Sequence, residues 1–238
     1  MFAPASSLIL NPQGQFYSTL KPALQATYED VYWDEDAIFL ERNSRDFKQR
    51  IHTINQSAEL VCDLLRSRSL ESQQHHVPPP PSDANETASL GENGVSNGTR
   101  SGAPHDDAEQ NPIVVQKVYY PKWVTTDTYH AIKTADGGYG GLFSVTFTSP
   151  LAARAFFDGL GCEKGPSLGT NFTLACPFVI LAHYTELEWA KQFGVDPYLV
   201  RVSVGLENPD VLVGWIEGAL KNAEEAVLES EKGNEKGL

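Results

Sequence analysis

The run Leu199-Val200-Arg201-Val202-Ser203-Val204-Gly205 sets a guanidinium in the middle of an apolar strand. Strand alternation sends Val200, Val202 and Val204 to one face and Arg201 with Ser203 to the other. A mid-strand arginine among valines calls for a planar anion on which to fork. That anion is either a ligand carboxylate or phosphate, or a carboxylate elsewhere in the same chain, and alternation alone is compatible with both. Ser167-Leu168-Gly169 adds a small polar turn in front of an apolar segment.

Three other constellations invite chemistry and carry less. Gly137-Gly138-Tyr139-Gly140-Gly141 looks like a phosphate loop, but a phosphate cradle must open a helix so that the helix amides point at the anion. Here the glycines precede the strand Leu142–Phe147, so a tight turn with close backbone approach is expected. Cys176 with His183 suggests a nucleophile and a base, yet no third group that would orient the base is evident. A thiol beside Phe178, Val179 and Ile180 should also have a raised pKa. His75-His76 has the residue type of a metal pair, but it sits in a segment expected to hold no fixed geometry.

That segment is the first clue to organisation. Residues 69–112 hold six prolines, four glycines, seven acids, one arginine and no Phe, Trp or Tyr. So little apolar surface cannot offset the entropy of ordering the backbone, and a disordered insert is expected. It carries -6 of the formal net charge of -13. Asn85 and Asn97 begin glycosylation-type triplets there, but Met1–Ser7 has no basic region and no long apolar core, so no secretory signal is read. Cys62, Cys162 and Cys176 are odd in number and irregularly spaced, as expected of free thiols in a reducing, cytoplasmic setting. The acidic balance disfavours nucleic acid, and no apolar run of the roughly 18 residues that a membrane span needs is present.

Two ordered blocks flank the insert. In residues 1–68, Ser7–Leu10 reads as a short strand closed by the turn Asn11–Gly14, and a helix is expected near Gln15–Ala26. Phe47, Ile51, Ile54, Ala58, Val61 and Leu65 then recur at spacings of three and four, on one helical face. With Asp34-Glu35-Asp36 at its start and Arg66 and Arg68 at its end, one long helix over 34–68 is expected, with a possible kink at Asn43-Ser44. In residues 113–238, strands are expected at Val114–Tyr120, Leu142–Phe147 and Leu199–Val204. Helices are expected at Thr125–Lys133, Leu151–Leu160, Thr185–Phe193 and from Pro209 onward. Ser149-Pro150 and Asn208-Pro209 each supply a cap followed by proline at the first helical position. The fold class is therefore α/β, an α+β C-terminal domain with a long linking helix and a disordered insert.

Gly165-Pro166-Ser167-Leu168-Gly169, followed by Tyr198-Leu199-Val200-Arg201-Val202-Ser203-Val204-Gly205-Leu206-Glu207, resembles the C-terminal domain of the Cys/Met-metabolism enzymes that use pyridoxal phosphate. Lys117–Pro121 resembles the strand that opens that domain, and Arg45, Arg50 and Asn55 echo an arginine-bearing helix of the family, with Ser57 intervening before Ala58. Gly137–Gly141, Ser167–Thr173 and His183–Ala190 are similar, more narrowly, to fungal-type cystathionine gamma-synthase.

The resemblance implies the small domain of a fold-type-I transferase. Residues 1–68 would form the end of the large domain and an inter-domain helix, and 113–238 the small domain. Arg201 would pair with the substrate α-carboxylate, and Ser167 would help to position Arg201 and the substrate. The implied reaction is γ-replacement on an activated homoserine ester by cysteine, with pyridoxal phosphate as electron sink. A homo-oligomer and an amino-acid substrate are implied as well. The family's Schiff-base lysine lies in a segment before the part matched here, and no lysine of this chain has that context. No catalytic residue is therefore assigned, and a truncated, inactive chain is expected. The alternative is a non-catalytic domain that pairs with a full-length relative. Pro166 stands where many relatives have an acidic residue, which leaves the choice of substrate open.

Overall fold

A computed structural model describes residues 8–74 and 111–235. His75-His76, Asn85, Asn97 and the body of the expected insert lie outside the described residues. The chain divides into two compact units, Met1–Ile51 and His52–Leu238. The division falls within a helix rather than at the insert, so residues 52–68 group with the C-terminal block.

In the first unit, Asn11–Gly14 forms the expected turn, with Gly14 N donating to Asn11 O at 3.0 Å. Residues 8–10 are not a strand, and no strand among the described residues pairs with them. Helix α1 (Tyr17–Thr27) carries Pro22 in its interior, and α2 (Asp34–Ser44) has three acids in its first turn, where the helix dipole favours them. The single long helix expected over 34–68 is two helices. The ladder breaks at Arg45-Asp46, and α3 (Phe47–Ser67) starts afresh. Neither α1 nor α2 buries a residue.

The second unit holds most of α3, a short α4 (Leu70–Gln74), and five strands: β1 (Val115–Tyr119), β2 (Leu142–Phe147), β3 (Glu163–Lys164), β4 (Leu174–Cys176) and β5 (Val200–Ser203). Ser69 forms a bridge to Val115, so the expected insert loses its first residues to ordered structure. The remaining helices are α5 (Thr126–Ile132), α6 (Pro150–Gly159), α7 (Phe178–His183), α8 (Leu187–Lys191) and α9 (Pro209–Glu235). The helix expected at Thr185–Phe193 is a 3-10 turn at Tyr184–Glu186 followed by α8, and α7 before them was not expected.

The sheet runs β1-β2-β5-β4-β3, antiparallel except for the β3/β4 pair. One face packs against α3, α6 and α9. Val118, Phe143, Val145, Val200 and Val202 point into that core, where Ala58, Val61, Leu65, Phe156, Ile216 and Ala219 meet them. Of the six apolar positions read on the long helix, Ala58, Val61 and Leu65 are buried, whereas Phe47 and Ile51 are 45% and 49% exposed. The proline-started helices form as expected: Ala152 N donates to the Ser149 hydroxyl at 3.1 Å, and Asp210 N donates to Asn208 Oδ1 at 2.8 Å. The glycine run Gly137–Gly141 is a packing turn. A Cβ on Gly138 would lie 2.5 Å from Asn55, and one on Gly141 would collide with Ile54, so both glycines let the chain lie against α3.

Candidate functional site

The face of the sheet away from the helical layer carries the polar positions of β5. Arg201 stands in register with Ser144 on β2 and with Cys176 on β4, at the centre of that face. Its guanidinium donates from Nη2 to the Pro166 carbonyl at 2.5 Å and lies 4.5 Å from the centroid of the Phe178 ring. Every ion pair among the described residues lies elsewhere, so Arg201 has no carboxylate partner there. The internal salt bridge that alternation left open is thus not formed among these residues. A cation partly out of water, with one donor spent on a neutral carbonyl and a hydrogen bond to the Cys176 thiol beside it, keeps its remaining N–H groups for an anion.

The loop in front of Arg201 is fastened to the end of β5. Gly169 N donates to the Ser203 hydroxyl at 3.1 Å, with Gly169 in the left-handed region at φ +69. Leu206 N donates to Asn171 O at 2.8 Å. The Glu207 carboxylate accepts from Thr173 N at 2.6 Å and from the Thr173 hydroxyl at 2.7 Å, while that hydroxyl accepts from Gly205 N at 2.9 Å. Gly205 has no room for a side chain, since a Cβ would lie 2.5 Å from the Phe172 backbone. The two sequence features that carry the resemblance, the SLG turn and the strand ending in GLE, are therefore bonded to one another. Ser167 is exposed at the tip of the loop, its hydroxyl without a bonded partner among the described residues. It adjoins the Pro166 carbonyl that receives Arg201.

Cys176 and His183 do not form a nucleophile and base. The Cys176 thiol is 1% exposed and lies beside Arg201; burial pushes its pKa up, and the guanidinium draws it part of the way back. His183 does have an orienting group, since its Nδ1 is 2.6 Å from Glu186 Oε1, three residues on. The imidazole stands edge-on to Phe178 at 5.9 Å, and no hydrogen bond joins it to Cys176. Sequence reasoning missed Phe178, the Pro166 carbonyl and Glu186 as neighbours of the site. The only early sign of Phe178 was its place in the apolar run after Cys176-Pro177.

A groove of about 560 Å³ opens further along the same sheet face, lined among others by Glu71, Lys117, Tyr119, Thr146, Lys191 and Asp196. Arg201 does not line it, and Glu71 and Lys117 are paired with each other at 3.2 Å. Among the described residues no cluster of His, Cys, Asp and Glu could hold a metal ion, and no helix is long and apolar enough to cross a membrane.

The cofactor implied by the sequence resemblance needs an unspent amine and a cradle for a phosphate. Lys117 and Lys122 are held by carboxylates, and Lys133 donates to the Gly137 carbonyl at 2.6 Å. Burial lowers the pKa of Lys164, but its ammonium donates to the carbonyls of Phe157 and Leu160 at the end of α6. Lys221 is paired with Glu225, and Lys21, Lys48, Lys191 and Lys232 are exposed on helix surfaces. The described residues do not by themselves fit pyridoxal phosphate.

Fold and site together define a small α/β domain that presents, from the open face of its sheet, an arginine with no carboxylate partner among the described residues. The chain is 44% identical over 233 residues to a cystathionine gamma-synthase-like enzyme of Amanita muscaria, covering 92% of this chain and 31% of that protein. It is 42% identical over 218 residues to cystathionine gamma-synthase of Neurospora crassa, covering 91% of this chain and 28% of that one. Among solved structures, cystathionine gamma synthase of Xanthomonas oryzae pv. oryzae in complex with aminoacrylate and cysteine matches with a TM-score of 0.54 and 21% identity, over 80% of this chain and 39% of that chain, a likeness of fold. No family model matches the chain. The chain belongs with the cystathionine gamma-synthase-like proteins, and it spans about a third of the length of these curated relatives.

Proposed function

We propose that this chain supplies the substrate-carboxylate half of a cystathionine gamma-synthase-like site. Arg201 receives the α-carboxylate of an amino acid through the N–H groups not spent on Pro166, and Ser167, at the exposed tip of the adjoining loop, adds a hydroxyl beside the ligand. The observation that carries the reading is the Arg201 guanidinium, fixed in mid-sheet with no carboxylate partner among the described residues. The reaction served would be γ-replacement, joining an activated homoserine ester to cysteine, in a cytoplasmic homo-oligomer. Pyridoxal phosphate, when bound, would supply the electron sink. The lysine and phosphate cradle for it are not among the described residues, so no step is assigned to residues of this chain beyond binding and orienting the substrate.

A charge-assisted pair on a partly exposed arginine contributes about 1.5 kcal/mol, roughly tenfold in affinity. In a chemical-shift titration of the intact chain, L-2-aminobutyrate should perturb residues around Gly169 and Cys176 and saturate, while L-2-aminobutyramide, which lacks the carboxylate, should not. Arg201→Gln should weaken the carboxylate ligand by roughly tenfold or more. Equal binding of acid and amide, or an unchanged Arg201→Gln variant, sinks the reading.

A further inference from the structure

Arginine side chains rotate freely about several torsions, and a receptor arginine that must be frozen on binding loses affinity to that ordering. Arg201 is not free in this way. The Pro166 carbonyl holds one end of the guanidinium at 2.5 Å, and the ring of Phe178 lies under the guanidinium carbon at 4.5 Å. Phe178 is itself placed from several sides. It opens α7 directly after Pro177, is half-buried, and meets the edge of the His183 ring at an interplanar angle of 80°. His183 in turn is tied to Glu186. The face of an aromatic ring attracts a cation without consuming any of its N–H donors. Phe178 can therefore hold the guanidinium still while leaving its remaining donors for an anion.

We propose that Phe178 is the positioning residue for Arg201, setting the guanidinium in the pose that receives a ligand carboxylate. The proposal rests on the reading of Arg201 as the carboxylate receptor. Leucine at position 178 keeps much of the volume and removes the ring face; tyrosine keeps the face.

In the intact chain labelled with 15N-arginine, the Arg201 Nε–H resonance should carry a ring-current shift from Phe178. Phe178→Leu should abolish that shift while amides remote from α7 stay in place. The same variant should bind L-2-aminobutyrate on the order of threefold to tenfold more weakly, and Phe178→Tyr should restore wild-type affinity. Wild-type affinity in Phe178→Leu, or an equal loss in Phe178→Tyr, overturns the proposal. Should Phe178→Leu not fold, the wild-type spectrum still decides, since an Arg201 resonance without a ring-current shift contradicts the stacking. Arg201→Gln in the same titration separates the two claims. If it binds like wild type, the carboxylate reading itself has failed. If it loses binding while Phe178→Leu does not, only the positioning role has failed.

Discussion

Gly169 and Gly205 hold the loop before Arg201 by different means, and substitution separates them. Gly169 has a positive φ of +69 with open space where a Cβ would stand, so alanine there meets backbone strain alone, about 1 kcal/mol. Gly205 has no such strain, but a Cβ on it would press 2.5 Å from the Phe172 backbone, and backbone cannot swing aside as a long side chain does. Gly205→Ala should therefore cost more, roughly 2–3 kcal/mol, and should loosen the bonds that Thr173 donates to Glu207 to close the loop. Urea unfolding of the two variants gives the comparison, with the L-2-aminobutyrate titration as second readout. The account expects Gly205→Ala to suffer more in both. Arg201 itself was legible from alternation, because a two-residue period needs only the local sequence. Its seat was not legible: Pro166, Phe178 and Cys176 reach it only because β5 lies between β2 and β4, and a chain separation of 35 residues hides the Pro166 contact.

The elements that build the platform show the same division between local and tertiary information. β2, α6 and α9 could be read because long periodic runs and Ser-Pro or Asn-Pro starts are written locally. β3 and β4, with two and three residues, have too few positions for a period to show, and the sheet makes them strands. The helix expected over 34–68 failed for a related reason. Acids at one end and bases at the other fit one dipole, but they fit two successive helices as well, and Arg45 and Arg50 are spent on Glu41, Asp46 and the Asn43 carbonyl around the break.

One cross-element tie can be tested through pH. Lys122, just beyond β1, bonds Glu59 at 2.8 Å and Asp63 at 2.9 Å on α3. Burial pulls its pKa down, but the hydrogen bonds it donates to Asp63 and Glu59 outweigh it and hold the pKa above the ordinary 10.5. Because the folded value is the higher one, the stabilisation is present in full below pH 10.5 and is lost as pH rises through the folded value. Lys122→Met keeps the stem and removes the charge, and should cost about 1 kcal/mol near neutral pH. The gap between wild-type and variant denaturation midpoints should close at strongly alkaline pH. A gap that persists there would assign the effect to the stem rather than the charge.

At the scale of the whole molecule, the net charge of -13 does not describe the site, where an arginine stands with no carboxylate partner among the described residues. The chain spans about a third of relatives named as cystathionine gamma-synthases, and the described residues hold an arginine without a carboxylate partner but no fitting place for the cofactor. The two facts agree if this chain carries the binding and orienting part of the work. Which anion Arg201 takes is the claim on which the rest depends. A crystal structure of the chain soaked with L-2-aminobutyrate tests it most directly. The account predicts the ligand carboxylate within hydrogen-bond distance of the Arg201 guanidinium, which remains over Phe178 with its Nη2 on the Pro166 carbonyl. A ligand bound elsewhere, or an Arg201 that has turned to pair with a carboxylate of its own chain, would contradict it.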